Sequence, residues 1–188
     1  ELKVTPFHLE WYDLFKSNKR TCIVAARGTG KTTILGIAFP LHLAFFSEHK
    51  DFLIVSNAMH QSVDIIKKIR DYIEENELLQ KLRPPTYSAT WSKTELNTTT
   101  HWRIIAKPYN PNLRGGHYHY VLCDEGSLYD DLSVYFRAVV PTVNIKNGNI
   151  MVIGTPTSQT DLLSRLAENS EYTTKYFPAV KGDKLLWK

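Results

Sequence analysis

The sequence predicts an α/β fold: a mostly parallel central sheet with helices on both faces and some antiparallel additions. Three observations carry this. Short, wholly apolar runs recur along the chain, the pattern of strands buried on both sides. Segments of helical periodicity separate them. A glycine-rich turn, "RGTGKT", joins the first such run to the helix that follows.

The elements follow in order. "PFHLEWYDLFK" (6–16) places Phe7, Trp11, Leu14 and Phe15 at helical spacing and reads as a short amphipathic helix. "TCIVAA" is a buried strand, and the turn after it feeds a helix from Lys31 to Phe46. "DFLIVSN" is a second buried strand, followed by a helix through "HQSVDIIKKIRDYIEEN" with Val63, Ile66, Ile69 and Ile73 on one face. Residues 86–106 are rich in Thr, Tyr, Trp and Ile, which predicts strands in a hairpin or an antiparallel addition. "YVLCDE" is a third buried strand, "DLSVYFRAVV" a helix, "NIMVIGT" a fourth buried strand, "DLLSRLAEN" a helix and "YTTKYFPA" a last strand. There is no internal repeat and no low-complexity tract.

At 188 residues, 43% hydrophobic and 22% charged, the chain has the composition of one globular domain. Its 23 basic and 19 acidic side chains give +4, a mild balance compatible with a polyanionic partner. Cys22 and Cys123 lie in buried-strand runs and read as reduced core thiols. No apolar run approaches the roughly 18 residues of a membrane span, and the N-terminus lacks the shape of a signal peptide. The expectation is a soluble, intracellular protein.

"VAARGTGKTT" (24–33) carries the chemistry. The common phosphate-loop pattern is G-x-x-x-x-G-K-[ST]; here the first glycine is Ala25. In a strand–loop–helix setting the amides of Gly28, Thr29 and Gly30 and the helix N-terminus face phosphate oxygens, and Lys31 reaches the terminal phosphates. Thr32 offers a hydroxyl to magnesium. The plain alternative is a chance Gly-Lys-Thr at a helix start. "YVLCDEG" adds the acidic strand such a loop requires: Asp124 to hold magnesium and Glu125 to polarise an attacking water. Its plain alternative is two acids opening a surface loop. "NIMVIGTPTSQTD" ends in Gly154, Thr155 and Pro156, and Thr155 is the candidate polar sensor of the terminal phosphate. Thr157, Ser158 or Thr160 could equally serve as a helix cap or turn residue there. His101, His117 and His119 lack zinc spacing, and Lys67, Lys68 and Arg70 share their helix with Asp71, Glu74 and Glu75 as a solvated mixed face.

Together these segments resemble the ATPase domain of viral large terminase subunits, the DNA-packaging family. Its loop is similar to R-x-x-G-K-[ST], which Arg27 to Thr32 fits. "VSNAMHQSVDIIKKI" is similar to the family segment in which Asn and Gln precede a long helix. "NLRGGHYHYVLCDE" is similar to its Arg-Gly turn ahead of the acidic strand, and "GTPTSQTDLLSRL" to its Thr-Pro coupling motif. The resemblance implies a phosphate-loop fold of the catalytic-glutamate type and hydrolysis of ATP with Mg2+. That hydrolysis would drive packaging of double-stranded DNA into a capsid. The residues implied are Arg27, Gly28, Thr29, Gly30, Lys31, Thr32 and Thr33 around the nucleotide, Asp124 and Thr32 at the metal, Glu125 as the catalytic group and Thr155 for coupling. Arg114 is implied as an arginine finger acting in trans, its alternative being a surface arginine paired with a nearby acid.

The resemblance places Phe7 and His8 at the base, although the family's glutamine is here His8; a core-facing or solvated histidine is the other option. It also implies a homo-oligomeric ring when assembled, expected as a pentamer, with a monomer open for the isolated domain, working with the portal or procapsid and a small terminase subunit in the cytoplasm of an infected host cell. Family members carry a C-terminal nuclease domain. Residues 1–188 read as the ATPase domain alone, without expected nuclease activity. Other functions stay open: a helicase-like or other nucleic-acid-stimulated ATPase, a small-molecule kinase, or a nucleotide-binding scaffold without turnover. The Asp124–Glu125 pair favours water activation over transfer to an acceptor.

Overall fold

The computed structural model describes residues 4–48, 50–85, 90–143, 146–181 and 184–185. Seven strands form one sheet: β1 (Arg20–Ala25), β2 (Asp51–Ser56), β3 (Glu95–Asn97), β4 (Arg103–Pro108), β5 (Tyr120–Cys123), β6 (Asn149–Gly154) and β7 (Thr173–Phe177). Their spatial order is β3-β4-β2-β5-β6-β1-β7. Every pairing in this sheet is parallel except β3 with β4, where Leu96 faces Ile104. This edge is the antiparallel addition expected from 86–106; residues 86–89 of that segment lie outside the described residues. A separate two-stranded ribbon pairs β8 (Val180–Lys181) with β9 (Lys184–Leu185).

Side-chain alternation along the strands fills two cores. Ile23, Phe52, Ile54, Leu122 and Ile153 point to the face covered by helices α1 (Pro6–Ser17), α2 (Phe39–Phe46) and α3 (Met59–Glu75), where Trp11, Phe15, Phe39, Ile66 and Ile69 meet them. Cys22, Leu53, Val55, Cys123 and Val152 point the other way, onto Val134, Tyr135, Leu162 and Leu166. Both thiols are free and buried. Burial raises the pKa of Cys22 to about 12 and pushes Cys123 upward as well.

Helix boundaries differ from expectation in instructive ways. The helix expected over Lys31–Phe46 begins with a π-helical stretch, Thr32–Ala38, before α2. The helix expected over 131–140 is a single turn, α4 (Leu132–Val134), followed by a second π stretch, Tyr135–Val139, and a 3-10 turn, Val140–Thr142. Pro40 and Pro141 lie just beyond the two π stretches. A proline has no N–H, and its ring clashes with the carbonyl four residues back, so regular winding is lost before it. On α3 the buried face runs through Ser62, Ile65, Ile66, Ile69 and Ile73, with Val63 only half-buried. The last helix of the sheet-covering set is α5 (Leu162–Ala167).

Candidate functional site: a phosphate-loop cleft at the strand ends

β1 is flanked by β6 and β7, and β6 separates it from β5. Three strand ends therefore deliver the loop, Thr155 and the acidic pair to one edge of the sheet. Gly28 and Gly30 have φ values of +76° and +80°, a backbone region that suits glycine. Ala25 closes β1 and is not among the positive-φ residues. That resolves the departure from the common pattern: this turn needs no glycine at the strand end.

Lys31 is buried beneath the loop, and its Nζ donates to the carbonyls of Ala25 (3.3 Å) and Ala26 (2.9 Å) and to Thr155 Oγ1 (3.3 Å). Desolvation lowers its pKa, against the opposing pull of Glu125 and Asp124. Thr155 Oγ1 in turn donates to Ala25 O (2.9 Å), so the end of β6 is tied to the end of β1. Thr32 Oγ1 donates to Asp124 Oδ2 (2.7 Å), and the Glu125 amide donates to Asp124 Oδ1 (3.0 Å). Burial raises the Asp124 pKa to about 6 even though the Thr32 hydroxyl works the other way. Glu125 sits in the left-handed region at φ +50°, a strained state for a residue with a Cβ.

These groups surround a cleft of about 430 Å³ whose lining includes Arg27, Lys31, Thr32, Gln61, Glu125 and Thr155. Gly28, Gly30 and Thr33 also line it. Thr29 is buried just beneath, with Oγ1 donating to Ala26 O (2.9 Å). The cleft thus gathers an ammonium, a guanidinium, turned backbone amides and the Glu125 carboxylate, with Asp124 buried behind Thr32. That is a binding surface for a polyphosphate with a divalent cation. The hydroxyl–carboxylate pair Thr32–Asp124 suits a hard cation that takes oxygen ligands. Desolvation is the main cause of the raised Asp124 pKa, and a cation bound there would favour the charged carboxylate.

Phe7 and His8, expected at the base, do not line this cleft. His8 is buried: Nδ1 accepts from the Thr5 amide (3.1 Å) and Nε2 pairs with Thr29 O (2.8 Å). A backbone N–H can only donate, so Nδ1 carries no proton and Nε2–H is the donor to Thr29. Burial lowers its pKa, consistent with this neutral form. The core-facing ring is the arrangement present, and it anchors α1 to the phosphate loop. Phe7 packs at 5.1 Å from Trp11 and 6.0 Å from Phe177.

Arg114 is exposed, after a short turn whose Leu113 is buried, and Gly115 beyond it takes φ +98°. It does not line its own domain's cleft. The cap of α5 is Asp161 rather than Thr157, Ser158 or Thr160, which the sequence leaves open as cap or turn residues. It accepts from the amides of Thr157 (2.7 Å), Ser158 (3.1 Å) and Ser164 (2.9 Å). Gln61, Ser127 and Thr157 line the cleft without having been singled out as site residues. Gln61 and Thr157 left traces in the sequence: Gln61 lies in the segment similar to the family's Asn and Gln stretch, and Thr157 in the one similar to its Thr-Pro motif.

A phosphate loop at the end of one strand, an acid pair two strands away and a polar strand end between them define a phosphate-loop ATPase fold of the catalytic-glutamate type. The chain belongs to the family described as terminase large subunit, T4-like-virus type, N-terminal, whose model matches residues 22–161. No curated protein sequence matches it significantly. Its fold is similar to the large terminase ATPase domain of Thermus phage P74-26 (TM-score 0.72, 14% identity, 93% of this chain and 81% of that one). It is also similar to the large terminase of bacteriophage HK97 (0.69, 16%, 97% and 41%). A third similar structure is the large terminase of a thermophilic bacteriophage in complex with ATP-gamma-S (0.64, 10%, 93% and 45%). The chain spans less than half of each of the last two proteins.

Proposed function

We propose that this domain binds ATP with Mg2+ in the cleft at 27–33, hydrolyses it, and uses the hydrolysis to drive double-stranded DNA into a viral capsid. The observation that carries this is the shared cleft holding Lys31, Glu125 and Thr155 beside the Thr32–Asp124 pair at 2.7 Å. Thr32 and Asp124 would hold the ion, which when bound supplies positive charge against the phosphate oxygens. Lys31 leaves the carbonyls of Ala25 and Ala26 to meet the terminal phosphates. In doing so it releases Thr155, so occupancy of the cleft is felt at the end of β6 and, through Thr157 and Asp161, at the start of α5. Glu125 takes the proton of the attacking water. Arg27 contacts phosphate from within the loop, and Arg114 reaches the ATP of a neighbouring subunit.

By family, the partners are DNA, the portal or procapsid, a small terminase subunit and further copies of the chain in a ring, a pentamer in our proposal. The site of action is the cytoplasm of an infected host cell. Among the described residues no helix is long and apolar enough to cross a membrane. A helicase-like ATPase shares this cleft and is separated by whether procapsid and portal are needed for DNA movement. A small-molecule kinase is separated by product. Purified protein with ATP, Mg2+ and no acceptor should release ADP and free phosphate, with release rising on addition of DNA and procapsid. Lys31→Ala should abolish nucleotide binding and release together. Turnover that requires an added acceptor, or survives Lys31→Ala, would overturn the proposal.

A further inference from the structure

Gln61 is the third residue of α3, which starts just past the end of β2. β2 lies on the side of β5 away from β6, so Gln61 enters the cleft from the strand opposite the one that carries Thr155. Its side chain is oriented by chemistry. The Ala58 amide donates to Oε1 at 3.3 Å. Because a backbone N–H has no acceptor role, the atom facing it is the oxygen and the NH2 group is the opposite end of the amide. That NH2 has no acceptor among the described residues. Ala58 has no side-chain oxygen with which to cap α3, and no acidic residue occupies the first turn. No carboxylate on this helix end therefore competes for the two donors of Gln61.

We infer that Gln61 is a further nucleotide-contacting residue: its Nε2 donates to the terminal phosphate, so the cleft distinguishes a triphosphate from a diphosphate. This rests on the proposal that the cleft binds ATP. Lys31 and Arg27 bring full positive charges that attract any polyphosphate, whereas an uncharged donor fixed by its own backbone contact selects by position. A hydrogen bond to a charged oxygen is worth roughly a ten- to hundredfold change in affinity. ADP, which lacks that oxygen, should not feel its loss.

The test uses Gln61→Glu, which keeps an oxygen for the Ala58 amide and replaces the donor with an anion. Isothermal titration with Mg2+ should give an ATP-gamma-S affinity reduced at least tenfold, with ADP, which the new charge also repels, weakened less. Gln61→Met, which retains length and helix preference but has neither donor nor acceptor, guards against a folding defect and should show the same selective loss. Equal weakening of both nucleotides, or no weakening of either, would overturn the assignment and leave Gln61 as a helix-end residue only. Failure of the unmodified protein to bind either nucleotide would instead refute the ATP proposal, and this inference with it.

Discussion

Asp124 uses both carboxylate oxygens on donors, the Thr32 hydroxyl and the Glu125 amide, yet burial still raises its pKa to about 6. The folded chain therefore holds this proton more tightly than the unfolded chain, where the carboxyl titrates near its ordinary 3.8. Between those values folding takes up a proton, so this group's contribution to stability falls as pH rises through the window and is lowest above about 6. Asp124→Asn removes the titration while keeping an oxygen for the Glu125 amide and an NH2 for Thr32 Oγ1. Without divalent ions at pH 7 the variant should be more stable, on the order of 2–3 kcal/mol, with the difference vanishing toward pH 4. Mg2+-dependent hydrolysis should fall at least a hundredfold. Thermal melts across pH check the first, and phosphate release the second. A variant that is less stable than the parent at pH 7 would contradict this account of Asp124.

At the scale of elements, the segment after β6, which our proposal makes the coupling segment, rests on one carboxylate. Asp161 caps α5; burial pushes its pKa up, but the amides of Ser164, Thr157 and Ser158 outweigh that and hold it below the usual range. Asp161→Ala should cost about 1–2 kcal/mol in denaturant unfolding. It should also lower hydrolysis more than nucleotide affinity, because Thr157 loses its anchor while Lys31 and the loop remain. Equal loss of both would place Asp161 in binding rather than coupling.

The central strands β1, β2, β5 and β6 were legible because burial on both faces makes each an apolar run, and the acids at the end of "YVLCDE" stand out against it. Thr155 was legible for the same reason, as the first polar group past an apolar strand. The π stretches were not: period and propensity describe a helix over 131–140, and only the clash of Pro141 with the preceding turn breaks it. That His8 turns its ring into the core was not legible, because its motif position says nothing of the ring's direction. That direction is set by a long-range contact with Thr29. Ser127 enters the cleft only through the sheet order, which local sequence does not encode.

At the scale of the whole molecule, Arg114 is exposed and outside its own cleft, and our proposal has it serve a neighbour. In an assembled ring, Arg114→Ala subunits keep an intact cleft and Glu125→Gln subunits an intact arginine. Neither should turn over alone, and a mixture shown to co-assemble should recover part of the activity. No recovery would leave Arg114 a residue of its own subunit. Beneath this lies the claim that one cleft both binds ATP and activates the water that attacks it. The most direct measurement is a paired titration and phosphate-release assay on Glu125→Gln with Mg2+. ATP affinity should stay within about threefold while hydrolysis slows about a hundredfold or more, as for loss of a general base. Hydrolysis at the parent rate would contradict it.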